Sequence, residues 1–136
     1  MEHTDHFYSL LAEAEKLLQT DPTSEEVIVV KTAAGNVYHC SNHAIMNGDT
    51  SEESVFLEML KKAKDTTVCY LVCIWNRHTV DCLPSEYQPV DLPYFHFRQG
   101  LLALSPQNAH ARILLLGNDG YGYKILAATM PLPKKP

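Results

Sequence analysis

The chain has 136 residues, 46% of them apolar and 20% charged, with a formal net charge of −5. That length suits one domain, residues 1–136, and that composition is globular rather than disordered. The acidic balance argues against a nucleic-acid partner, and no apolar run reaches the roughly 18–20 residues that span a bilayer.

The opening "MEHTDHFYSLLAEAEK" is polar and carries no apolar leader core, so a cytoplasmic protein is expected, with Cys40, Cys69, Cys73 and Cys82 as free thiols. Residues 5–19 then set Leu10, Leu11, Ala14, Leu17 and Leu18 at helical spacing, with Thr4 or Asp5 as the expected N-cap. "TDPTSEE" breaks that helix. "VIVVKT", "AAGN" and "VYHC" predict a β-hairpin, and "SNHAIMNGD" predicts a loop.

A second helix is expected from Thr50, with Val55, Phe56, Met59, Leu60 and Ala63 as its apolar stripe and Lys61, Lys62 and Lys64 at its C-terminal dipole. "TVCYLVCIW" is too apolar for a strand with one wet face and reads as a central one. "NRHTVDCLPSEYQPVDLP" reads as loop, and a third helix is expected from about Pro93 to Leu104. "ARILLLG", "NDGYG" and "YKILAA" predict strand, turn and strand, and "MPLPKKP" ends the sheet. The order predicts an α/β fold: a single three-layer domain, with a mixed sheet of about five strands and helices on both faces. Helices between successive apolar strands favour parallel pairing there.

Thr50-Ser51-Glu52-Glu53 has the pattern of a capping box, in which Glu53 reaches back to the amide of Thr50. Cys69 and Cys73 share a face of one strand at about 13 Å spacing, too far apart to hold one ion. Cys40 can approach that strand across the sheet, and Cys82, in a loop, is the cysteine expected to be exposed. His39, His43, His78, His96 and His110 lack metal-ligand spacing. "GNDGYGY" reads as a hairpin turn, because no helix follows it as a phosphate loop requires.

Three stretches, "GNVYHCSN" (residues 35–42), "SEESVFLEML" (from Ser51) and "PYFHFRQGLLAL" (from Pro93), together with the closing "ARILLLGNDGYGYKILAATMPLP", resemble the zinc-dependent cytidine deaminase superfamily, in particular its small free-nucleoside enzymes. The resemblance covers nearly the whole chain. It implies two helices whose N-termini face a zinc ion held by three Cys or His ligands, and a glutamate that moves protons between zinc-bound water and the ring. By position, Asn42 falls on the asparagine that holds the nucleoside sugar, with Ala44 where its glutamate partner belongs. Ser51 falls on the first zinc ligand and Glu53 on the proton shuttle. Pro93 falls on the family proline, Tyr94 and Phe97 on the two thiolates, and Arg98-Gln99 on the Arg-Gln that follows.

Ser51, Tyr94 and Phe97 do not make a zinc centre, so no cofactor and no catalytic residue is expected, with Glu53 a vestigial acid. The interval from Glu53 to Tyr94 is long for the family, and "PSEYQPVD" reads as an insertion. A register on Cys82 shortens it, but puts prolines where a helix must start and supplies no second cysteine.

The reading is a catalytically inactive deaminase-fold protein that binds a nucleoside-like small molecule through Asn42, Ser51, Glu53, Tyr94 and Phe97. Tyr94 and Phe97 there serve either as core filling or as a stacking platform. The alternatives are an oligomeric interaction or structural subunit (a dimer or tetramer, as the resembling enzymes form) and a divergent hydrolase with a substituted centre.

Overall fold

The computed structural model describes residues 3–76 and 89–131. The first helix, α1, is Thr4–Thr20; strands β1 and β2 are Glu26–Thr32 and Val37–Asn42. Helix α2 is Ser51–Lys62, β3 is Val68–Trp75, α3 is Phe95–Leu104, and β4 and β5 are Arg112–Gly117 and Gly120–Ile125. The strands form one five-stranded mixed sheet in the order β2-β1-β3-β4-β5. Among the described residues, only the β3–β4 pair is parallel.

The sheet is buried on both sides because β3 is apolar at every position and β1 and β4 are apolar through their middles. On one face, Val27, Val29, Val72, Ile74 and Leu114 pack with Phe7, Leu10, Leu11 and Ala14 of α1. On the other, Ile28, Val30, Leu71, Cys73 and Ile113 pack with Phe56 and Leu60 of α2 and Phe97 and Leu101 of α3. The domain is therefore three-layered α/β, as expected. No described helix is long and apolar enough to cross a membrane.

Several local expectations need correction. Helix α1 is capped by neither Thr4 nor Asp5: His3 precedes it with φ 67, and no side chain caps it. His3 is instead held through Nδ1, 2.6 Å from the Tyr70 hydroxyl. The stripe of α2 is Glu53, Phe56 and Leu60; Val55 and Ala63 face solvent, and Met59 is half-buried. Strand β2 runs two residues further than "VYHC", to Asn42, followed by a 3-10 turn at Ile45–Asn47. Strands β2 and β3 run in the same direction but do not pair, because β1 lies between them. Lys31 opposes Tyr70 and Thr32 opposes Val68, which leaves Cys69 as an extra bulged residue. The bulge turns Cys69 to the α1 face while Cys73 stays on the α2–α3 face, so the two thiols do not share a side.

Helix α3 starts at Phe95, two residues after Pro93. The β4–β5 turn is only Asn118-Asp119, with Gly120 at φ 108, and the last strand stops at Ile125, where Leu126–Thr129 becomes a 3-10 turn. The expectations for His78, Cys82, the insertion "PSEYQPVD" (most of it) and the end of the tail lie outside the described residues.

A buried asparagine locks α3 to the sheet. Asn108 is fully buried; its Nδ2 donates to Thr66 O and Leu101 O, both at 2.8 Å, and its Oδ1 accepts from Val68 N at 2.7 Å. Asn108→Ala strands buried main-chain groups, so it is expected to cost about 2–4 kcal/mol in urea unfolding. A loss under about 0.5 kcal/mol refutes the lock.

Candidate functional site

Strands β2 and β3 both end on the same side of the sheet, and α2 and α3 begin there. Ligand sites in α/β folds lie at such strand ends. The upper half of β3 does not pair with β4, which meets it only at Tyr70 and Leu71. There the segment before α3 runs beside β3: Trp75 N donates to Pro89 O at 2.8 Å and Asp91 N to Cys73 O at 3.2 Å. The indole Nε1 of Trp75 donates to Leu92 O at 3.0 Å, and this places Pro93 and Tyr94 over the first residue of β1.

That first residue is Glu26. It lies on the α2–α3 face because it alternates with Ile28 and Val30, and it is fully buried. Asn42, its register partner on β2, donates from Nδ2 to Glu26 Oε1 at 2.6 Å. Tyr94 N, at the N-cap of α3, donates to Oε2 at 3.0 Å, and Cys73 Sγ to the same oxygen at 3.6 Å. Burial raises the Glu26 pKa, and hydrogen bonds from Glu53, Tyr94 N, Asn42 and Cys73 offset only part of that rise.

Glu53 comes to the same point from the first turn of α2. It is 1% exposed, and neither carboxyl oxygen has a donor from any described residue. Its neighbour is the Glu26 carboxyl. Burial, then the charge and hydrogen bonding of Glu26, push the pKa of Glu53 up to about 9. Two carboxylates cannot both ionise there, so one proton resolves the contact: Glu53 stays protonated and its O–H donates to Glu26. The missing donor and the neighbouring acid are one fact, since a proton on Glu53 supplies the bond that two carboxylates lack.

The thiols around this pair are inert. Cys40 Sγ donates to Asn42 Oδ1 at 3.1 Å; burial and the charges of Glu26 and Glu53 raise its pKa to about 12. Cys73 is raised in the same direction, first by burial and then by Glu26. Neither is a thiolate nucleophile. Arg98 also has a structural employment: its Nε donates to Pro93 O at 3.1 Å and its Nη1 to Thr129 O at 2.7 Å.

Outside the pair lies a charged clamp. His43 N donates to Glu52 Oε1 at 2.7 Å, its Nδ1 lies 3.0 Å from Glu52 Oε2, and its Nε2 lies 2.9 Å from Asp21 Oδ2. Glu52 and then Asp21 raise the His43 pKa. The clamp ties the end of α1, the end of β2 and the first turn of α2.

Of the residues singled out from the sequence, Asn42 and Glu53 meet in the centre, and Phe97 is fully buried in the same core, its ring 6.0 Å from Phe56. Tyr94 contributes its main-chain N; the residue is 40% exposed. Ser51 is exposed, its amide held by Asp49 Oδ1 at 3.0 Å. The capping box does not form: Thr50 precedes α2 without a side-chain bond, and Glu53 turns inward instead of back to its amide. Of the zinc-ligand positions, then, Ser51 faces solvent, Tyr94 is part-exposed, and Phe97 has no lone pair to give. Among the described residues no three His, Cys, Asp or Glu side chains converge as a metal site requires. The donor set does not fit zinc.

The sequence pattern does not single out Glu26, because the β-branched run "VIVVKT" starts one residue later, at Val27. The signal was present: Glu26 is two residues before Ile28, hence on the inward face of a two-sided strand.

No model of a known protein family matches the chain, and no curated protein sequence matches it.

Proposed function

We propose that this chain is a non-catalytic protein of the cytidine deaminase-like fold, whose former reaction centre has become core and whose role is assembly rather than turnover. The observation that carries this reading is the buried Glu26–Glu53 pair between the starts of α2 and α3. In the resembling enzymes, a metal and a proton-shuttling acid occupy such a point. Here the acid's proton is committed to a neighbouring carboxylate.

The same geometry weighs against the other readings. Asn42 already uses both ends of its amide, on Glu26 and Cys40, so a nucleoside sugar must displace Glu26 to reach it. A hydrolase needs a nucleophile paired with a base, and the two thiols nearest the centre are buried and held protonated.

The test uses the purified full chain, equilibrated with zinc, dialysed and analysed for metal. Ammonia release from cytidine and deoxycytidine, and calorimetry with the same nucleosides, complete it. The expected result is substoichiometric zinc, no ammonia and no binding heat at millimolar nucleoside. One zinc per chain, with turnover abolished by Glu53→Gln, overturns the reading. Binding heat lost in Asn42→Ala replaces it with the ligand-binding one.

A further inference from the structure

Among the described residues, strand β2 is an edge strand that pairs with β1 alone. Thr32 N donates to Asn36 O at 2.9 Å, and the unbroken register Val30↔Tyr38, Ile28↔Cys40 continues that alternation. In an antiparallel ladder this turns the main chains of Tyr38 and Cys40 towards β1 and those of Val37, His39 and Ser41 outward. The outer edge thus presents three N–H and three C=O groups. Sheets blunt such edges with lysine, proline or bulges. Strand β2 has none of these, whereas the opposite edge, β5, has Gly120, Gly122 and an exposed Lys124.

Helix α2 flanks this open edge with an apolar surface. Val55 is 69% exposed, and a groove of about 380 Å³ between β2 and α2 is lined by Val55, Phe56, Met59 and Cys40. The charged side chains of α2 and its flanks are unevenly placed. Asp49 and Glu52 lie at its start, where Glu53 is buried, and Lys61 and Lys62 lie in its last turn, after Glu58 and before Lys64.

We infer that the outer edge of β2 and the outer face of α2 form one self-pairing surface, on which a second copy of this chain docks about a twofold axis. This rests on the assembly reading and names its partner. A twofold through His39 pairs Val37 with the partner's Ser41 in an antiparallel ladder, making one continuous sheet from two. The same axis sets the two α2 helices antiparallel, so Asp49 and Glu52 of each lie towards Lys61 and Lys62 of the other, with Val55 and Met59 between. A contact of this kind is isologous and closes on itself. An extended peptide from another protein matches the strand edge but leaves the two charged ends of α2 without complements.

The test is sedimentation of the full chain at tens of micromolar, with three variants. His39→Pro removes an outward N–H and leaves the β1 ladder intact, as proline is tolerated on an edge strand. Val55→Glu changes an exposed side chain, and Lys124→Glu on the far edge is the control. The wild type and Lys124→Glu are expected to sediment as dimers, and His39→Pro and Val55→Glu as monomers with unchanged far-UV circular dichroism. Should His39→Pro fail to fold, Val55→Glu decides, together with hydrogen exchange at the Val37, His39 and Ser41 amides, which are slow in the dimer.

A monomeric wild type overturns the inference. So does a dimer that survives Val55→Glu with fast exchange at those three amides, an outcome that leaves assembly through another surface standing. The zinc and turnover measurements judge the functional reading separately.

Discussion

Glu53→Gln is expected to make the protein more stable at pH 8, by up to about 5 kcal/mol, and to lessen the fall in its stability between about pH 5 and pH 9. The usual glutamate value is 4.5, and Glu53 stands at about 9 in the folded chain. Below the lower value both folded and unfolded chains hold the proton, and the contribution of the pair is fully present. Between the two values the folded chain keeps a proton that the unfolded chain has released, so stability falls by up to about 1.4 kcal/mol per pH unit. The loss is complete once the folded Glu53 ionises. A glutamine amide donates to Glu26 without a titrating proton, so the variant escapes the share of the fall that Glu53 causes, while the raised Glu26 keeps its own.

Other groups shape the same profile without reversing it. Asp21, Asp49 and Asp65 are lowered by hydrogen bonds, from Thr23, the Ser51 amide and Asn36 first, so their contributions fade in acid. His43 is raised, and its contribution is lost as pH rises through its folded value. Maximum stability therefore belongs on the mildly acidic side, at about pH 5. Urea unfolding of both proteins across that range is the measurement. A wild type firmer at pH 8 than at pH 5.5, or a variant weaker than wild type at both, removes the shared proton from the account.

Phe97→Ala is expected to cost about 3–5 kcal/mol, seen as a fall of roughly 10 °C or more in melting temperature. Phe97 is fully buried on α3 and packs beside Phe56 of α2, so truncation leaves a cavity between two helices that the sheet holds in place. Tyr94, one turn earlier, is the contrast. Its residue is 40% exposed and its main-chain N makes the bond to Glu26, so Tyr94→Ala keeps that bond and is expected to lose less than about 1 kcal/mol. Equal losses from the two variants defeat the claim that Phe97 fills the centre while Tyr94 supplies only backbone.

The elements and the layer order were legible in the sequence because their signals are local. Leu10, Leu11 and Ala14 repeat at helical spacing, "VIVVKT" and "VYHC" flank a turn, and "TVCYLVCIW" is apolar on both faces, which only a central strand tolerates. That position 97 cannot ligate a metal was legible too, since phenylalanine offers no lone pair in any fold. What occupies the centre was not. Whether Glu53 caps its own helix or turns inward depends on the acid it meets from a strand 27 residues earlier, a neighbour set by the β1–β2 register and the entry path of α3. The bulge at Cys69 that separates the thiols, and the exposure of Val55 beside an open strand edge, are likewise products of packing between elements. Local periodicity determines which segments become helix or strand and which face is apolar. The protonation of a buried acid depends on the field of groups distant in sequence, and only the assembled tertiary structure brings that field into being.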